Sequence, residues 1–455
     1  MKFASRLRPF LLLVVCLLFG LSMLISGCGS QSTTSSSDET STTNSSPDVD
    51  QSGARTSTEP PAKPLPKPAG VLSQKFSCQE ELVAGVTEAG GVLYIPCEST
   101  LHAIEASSGQ EKWSFPTNEQ MQVTPGFEAG TVYVASNNFP AQSEANSHNV
   151  YALDATSGKE KWRAPVTDDI LTLEVKGGIV YAAGTGKTFA INAADGKIRW
   201  SSDHGAIFVV AGKVPGTVLM ADIRLVGTNR NATTLYALDE SSGREEWRRD
   251  FGGAPNALDA DSATVYLETM LEYTPDEGQT LPPKITAVDA ATGADKWQVT
   301  EGETRPKYGD MDNMSPFALL GGNISFFYQL FAKPSTTNAR LTGSGQPSTL
   351  FVLDAGSGKQ KANYDTSFPL YPNVQEAGKS FTGGYAYAIN PDMTGAANED
   401  ASISYSLSAI SLTDGSEAWS VPIKDPPRDL LAVAGVFNGH VYLKSISGGG
   451  VWEID

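Results

Sequence analysis

The sequence predicts an all-β fold: an eight-bladed β-propeller of four-stranded antiparallel blades, the last of which is closed by an N-terminal strand. Three observations predict it. A unit of roughly fifty residues recurs in seven in-register copies. Six of the seven tryptophans fall at the same position in that unit. A stretch of strand-forming residues is left over at each end of the repeats, and together the two complete one more unit.

Each unit holds a short apolar strand, then a second strand ending near an acidic or amide residue. A glycine follows four positions on, and a tryptophan four after that. The clearest copy runs Gly130-Thr131-Val132-Tyr133-Val134-Ala135, then Val150-Tyr151-Ala152-Leu153-Asp154, Gly158 and Trp162. The others place the three markers at Glu105, Gly109 and Trp113; at Asn192, Gly196 and Trp200; and at Asp239, Gly243 and Trp247. They recur at Asp289, Gly293 and Trp297; at Asp354, Gly358 and Ala362; and at Ser411, Gly415 and Trp419. Trp452 stands instead where the tyrosine of the Val-Tyr-Ala-Leu-Asp strand would be.

The alternating apolar residues make strands with a packed face. The segment around each glycine is turn chemistry, and the acidic or amide side chain before it can cap turn N–H groups. Each tryptophan is expected to be structural, an apolar plate that docks one blade on the next. A four-stranded sheet of this kind needs neighbours on both faces, and radial repetition supplies them. In the first unit the strands, lettered A to D, read as 82–87, 92–96, 101–105 and 111–115. After Trp419 come A, B and C strands at 430–436, 441–444 and 451–455, and the sequence is one strand short. Residues 71–78 have no blade of their own, and as strand D they close the ring and remove two exposed edges.

Residues 1–27 have the layout of a secretory signal: Lys2, Arg6 and Arg8, an apolar run from Phe10 to about Ile25, then Ser26 and Gly27. Ile25-Ser26-Gly27-Cys28 resembles the bacterial lipobox, which implies a lipid on Cys28 and attachment of the protein to a membrane outside the cytoplasm; an uncleaved anchor is the alternative. Residues 28–70 turn to Ser, Thr, Asp and Pro, too polar to repay ordering, and read as a disordered tether with a reach of roughly 35 Å. Residues 71–455 are the propeller. Cys78 and Cys97 are the cysteines left in the folded part, and in an oxidising compartment they are expected to pair, closing a loop worth about 3 kcal/mol; two buried thiols are the alternative reading. The net charge of −18 disfavours nucleic acid as a partner.

The repeats resemble PQQ-type propeller repeats, whose signature runs tyrosine, alanine, leucine, aspartate, a Thr/Ser-Gly-Lys turn and a docking tryptophan. A lipobox with eight blades is similar to the BamB-like lipoproteins of the outer-membrane assembly machinery, which implies a non-catalytic scaffold. The same repeats build quinoprotein alcohol and glucose dehydrogenases. Those carry adjacent cysteines on the quinone, a Cys-x-x-Cys-His haem motif, or a catalytic histidine with metal-binding carboxylates. This sequence has no Cys-Cys pair and no Cys-x-x-Cys-His, and its histidines, His102, His148, His204 and His440, lie in no recognisable catalytic setting. His102 reads as structural, His440 opens a B strand, and His148 and His204 read as loop residues.

No catalytic residue, cofactor or metal is therefore expected. Asp310-Met311-Asp312-Asn313 lacks the glycine and glutamate of a calcium loop and reads as a solvated loop. Gly184 and Gly186 make a B–C turn with no helix behind it. Strand parity puts the short glycine turns on one side of the disc and the B–C connections on the other. Long B–C insertions are expected at 136–149, 222–233, 268–283, 329–348 and 390–403, forming a raised rim. Around Met270, Tyr273, Tyr328 and Phe331 the rim is the candidate docking site for an envelope protein or polymer. The function read from the sequence is a membrane-anchored, extracytoplasmic interaction scaffold. The alternatives are a ligand or polysaccharide sensor and a PQQ-dependent dehydrogenase.

Overall fold

The computed structural model describes residues 63–455 except 80–81, 83, 118, 138–147, 227–229, 271, 275–278, 282, 301–311, 315–316, 331–347, 366–380, 393–403, 428–430 and 446–447. The signal, Cys28 and most of the tether lie outside the described residues.

The B strands carry unbroken apolar runs, and these dictate a strand covered on both faces. In Val92–Cys97 the side chains of Val92, Leu93, Tyr94 and Ile95 are all buried. Val92 and Tyr94 join residues of blade 2 in one apolar cluster, while Leu93 and Ile95 join residues of blade 8 in another. The pattern repeats around the ring. Eight apolar clusters each combine residues of two consecutive blades. The core is therefore a set of seams rather than a single interior.

The sheets are antiparallel and follow one another along the chain as eight blades. Blades 1 to 7 occupy 87–116, 126–166, 170–202, 208–252, 255–300, 312–365 and 381–422. Blade 8 takes its A, B and C strands from Leu431–Phe437, His440–Ser445 and Gly449–Ile454. Its D strand is Leu72–Cys78, paired from Leu72↔Ile454 to Cys78↔Gly449. The eight-bladed ring closed by an N-terminal strand is thus the architecture the repeats predict.

Three local readings change. The A strand of blade 1 is Thr87–Ala89, not 82–87. Leu82, Ala84 and Val86 are buried, but Gly85 N donates to Thr124 Oγ1 at 2.9 Å, so that backbone serves the next blade. Residues 222–233 are mostly strand: Thr217–Val226 and Arg230–Asp239 pair without a break from Thr217↔Asp239 to Val226↔Arg230. Residues 63–70 are packed on blade 7: Leu65 N donates to Tyr387 Oη at 2.9 Å and Lys424 N to Gly70 O at 2.8 Å. Composition alone reads this stretch as tether because its one apolar contact residue among the prolines, the partly buried Leu65, is easily overlooked.

Candidate functional site

The repeat markers meet at the blade seams. Asp154 Oδ1 accepts from Ser157 N at 3.0 Å and from Ser157 Oγ at 2.8 Å, and these bonds hold its carboxyl below the usual range. Asp239, Asp289 and Asp354 cap their turns in the same way. Five of the turn glycines lie under an indole of the preceding blade. A Cβ on Gly158 would stand 2.6 Å from the Trp113 ring, and one on Gly196 2.8 Å from Trp162. Trp200, Trp247 and Trp297 cover Gly243, Gly293 and Gly358. The indole N–H donates to the carbonyl after the capping residue: Trp113 to Ala155 at 3.0 Å, Trp162 to Ala193 at 2.9 Å, Trp200 to Glu240 at 2.9 Å. Trp247 and Trp297 do the same to Ala290 and Ala355.

The sequence reading missed the third member of this unit, a B-strand tyrosine beside the indole. Ring centroids are 5.8 Å apart for Tyr94–Trp113 and 6.0 Å for Tyr181–Trp200 and Tyr387–Trp419. Burial, then Glu88 and Asp154, pushes the Tyr94 hydroxyl up to about 12. The recurring Val-Tyr of the B strands was the available signal. Blade 6 has Ser325 and Ala362 at the tyrosine and tryptophan positions; there Tyr364 covers Gly415 and donates to Thr413 O at 3.3 Å.

Of the five expected insertions, those of blades 2 and 7 fall mostly on residues 138–147 and 393–403, outside the described residues; parts of the other three, in blades 4 to 6, are described. In blade 4 the long B and C strands run past the short A strand, Phe208–Val210, which pairs only with Leu219–Ala221 of the B strand. In blade 5 the B–C connection forms a hairpin, Glu272–Thr274 with Gln279–Leu281, lying beside the C strand of blade 4. In blade 6 the B strand extends to Leu330, and Asp312–Met314 pairs with Tyr328–Leu330. Asp312 and Asn313, read as a solvated loop, are therefore strand residues. Met270 is half-buried, and its N–H donates to Ala254 O at 2.8 Å. Tyr273 lies in the hairpin and Tyr328 in the blade 6 B strand, opposite Thr349. The structure thus puts Tyr273 and Tyr328 on strands of the rim, and Met270 just after the B strand Thr264–Thr269. Phe331 lies outside the described residues.

Below the hairpin, Glu268 is fully buried and accepts from Asn256 Nδ2 and, at 3.1 Å, from Phe317 N of blade 6. This carboxylate ties the base of the blade 5 insertion to the first residues of the next blade. No sequence pattern marks it.

Each histidine faces a carboxylate: His102 Glu111, His148 Asp169, His204 Glu245 and His440 Glu453. His148, read as a loop residue, opens the C strand His148–Asp154 and is buried. His204 is outside any strand and stacks on Tyr236 of the next blade, with centroids 4.3 Å apart. The Gly184–Gly186 turn is filled by the chain's own Asp168, whose Oδ2 accepts from Gly186 N and Lys187 N at 2.6 Å each.

The cysteines do not supply the adjacent pair that stacks on the quinone in the alcohol dehydrogenases. Cys78 and Cys97 form a disulfide that joins the D strand of blade 8 to the B strand of blade 1. Among the described residues the cluster with metal-ligand spacing is Cys78, Cys97 and Glu98, and the disulfide consumes both sulfurs.

Solved structures resemble the chain at the level of fold. Saccharomyces cerevisiae Sqt1 aligns with a TM-score of 0.54 at 10% identity, covering 86% of this chain and 100% of that one. The computationally designed Ika8 protein aligns at 0.52 and 12%, with 86% and 100% covered. BamB from Moraxella catarrhalis aligns at 0.47 and 12%, with 84% and 100% covered. No curated protein sequence matches the chain. A family profile described as outer membrane protein assembly factor BamB matches residues 48–206 and 190–309, more than half of the sequence, and the chain belongs to that family of PQQ-type repeat propellers.

Proposed function

We propose that this protein is a non-enzymatic interaction scaffold, held outside the cytoplasm by a lipid on Cys28, and that the rim of blades 4 to 6 docks an envelope protein or polymer. One observation carries the rim: its strands and hairpin rise on the B–C side, while short glycine turns cover the other side. Rigid strands present a docking surface at lower entropic cost than loops would. Family membership supports a scaffold, and the first 28 residues support the anchor.

The test is crosslinking in whole cells followed by identification of the captured protein. Tyr273→Asp with Phe331→Asp, in a chain that melts like the wild type, is expected to lose the capture. If every partner is still recovered, the rim is not the docking site. Dye reduction after loading with PQQ and Ca²⁺ would instead establish a dehydrogenase.

A further inference from the structure

Six of the eight seams are built alike, with an aromatic ring over the next blade's turn glycine and a hydrogen bond to its turn carbonyl. The two seams at blade 8 are not. That blade has no C–D turn, because its C and D strands come from opposite ends of the sequence. On one side, Trp419 Nε1 donates at 2.7 Å to Leu65 O, so the segment before the D strand stands in for the missing turn. On the other side, no ring covers Gly109. The backbone of Gln74 and Lys75 lies over it. Lys75 Nζ donates to Ser107 O at 3.0 Å and pairs at 2.9 Å with Glu453 Oε2, both side chains being 6% exposed. His440 Nδ1 contacts the other Glu453 oxygen at 2.5 Å. Phe76 packs on His102 with centroids 4.9 Å apart.

We propose that residues 63–78 are a latch on the ring and that the Cys78–Cys97 disulfide is its redox-controlled lock. Every seam has an apolar cluster, this one included, but the indole seams add a ring and its hydrogen bond over the turn glycine. Here Lys75 and Glu453 take that place, and because both charges recover their hydration when they part, this part of the seam resists separation weakly. The strand Leu72–Cys78 is also held to its blade by long-range pairing alone, whereas the other three strands of blade 8 are consecutive in sequence. The covalent bond from Cys78 to the B strand of blade 1 makes up that deficit.

Cutting the lock needs a dithiol reductant. One of its thiolates attacks a sulfur of the Cys78–Cys97 bond to give a mixed disulfide, and its second thiol displaces the remaining cysteine. Two electrons pass to the protein, which ends with two thiols, while the dithiol becomes a cyclic disulfide. The D strand and its leader are then free to detach as a local unit while blades 1 to 7 persist.

Hydrogen exchange of the full chain with and without dithiothreitol tests this, with thiol labelling mapped to Cys78 and Cys97. Reduction is expected to speed exchange tenfold or more in 72–78 and 449–454, and to leave 179–192 of blade 3 unchanged. Cys78→Ser with Cys97→Ser should exchange like the reduced wild type and ignore the reductant. Three results overturn the proposal: a disulfide that the native protein keeps under the dithiol, unchanged exchange in the latch after labelling proves reduction, or protection lost equally in all blades.

Discussion

Trp200 is the indole whose worth can be worked out most directly. It is 7% exposed, packs against the tilted Tyr181 ring, donates to Glu240 O at 2.9 Å, and lies where a Cβ on Gly243 would stand 2.5 Å from its Cδ2. Trp200→Ala removes the ring and is expected to cost about 4 kcal/mol. Gly243→Ala carries two penalties. Its φ of +69° disfavours any side chain by about 1 kcal/mol, and displacing the ring adds about 2 kcal/mol. In the double variant the overlap no longer exists, so the pair should cost about 5 kcal/mol rather than the 7 of the summed singles, a coupling of about 2 kcal/mol. For a propeller of this size 1 kcal/mol corresponds to about 1 °C in Tm, so Trp200→Ala should melt about 4 °C lower. The assay is denaturant unfolding of the four proteins of the cycle, with Tm as a cross-check. If the two single changes add within about 0.5 kcal/mol, indole and glycine are not a unit and the seam argument fails.

Two more outcomes follow from the same contacts. A chain beginning at Lys63 should melt like the full sequence, whereas one beginning at Val71 should lose about 2–4 kcal/mol, because Trp419 and Lys424 lose their acceptors Leu65 O and Gly70 O and the burial of Leu65 is lost; equal melting would mean that the leader is not part of the ring. Glu174, on the A strand of blade 3, has its carboxyl pushed up to about 7 by burial, against the lowering effect of Lys176 and Lys213. An acid with a raised folded pKa keeps its proton where the unfolded chain has released it. Stability should therefore fall as pH rises from the ordinary carboxylate range to about 7, by at most about 3 kcal/mol, and Glu174→Gln should flatten that slope. Parallel Tm profiles of the two proteins between pH 5 and pH 8 would refute it.

Much of this was legible in the sequence because the determinants are local and repeated. Asp154, Gly158 and Trp162 lie within nine residues, and their spacing states the turn, its cap and the plate that follows. Eight blades followed from counting, and the closing strand from what the count left over. Strand parity alone puts the B–C connections together on one side of the disc. The nature of the rim was not legible, since Asp222 to Thr233 has the polarity of a loop and becomes strand because its register continues that of residues already paired below it.

The sequence by itself determined the repeat, the number of blades and the residues of each turn, because those depend on contacts within one unit. Only the tertiary structure decided which residues meet across a seam: Trp113 over Gly158, Trp419 on Leu65, Lys75 against Glu453. These pairs are separated by anything from tens to hundreds of positions. They exist because the ring brings each blade against the next and returns the first strand to the last, a condition of geometry that no local pattern of residue types records.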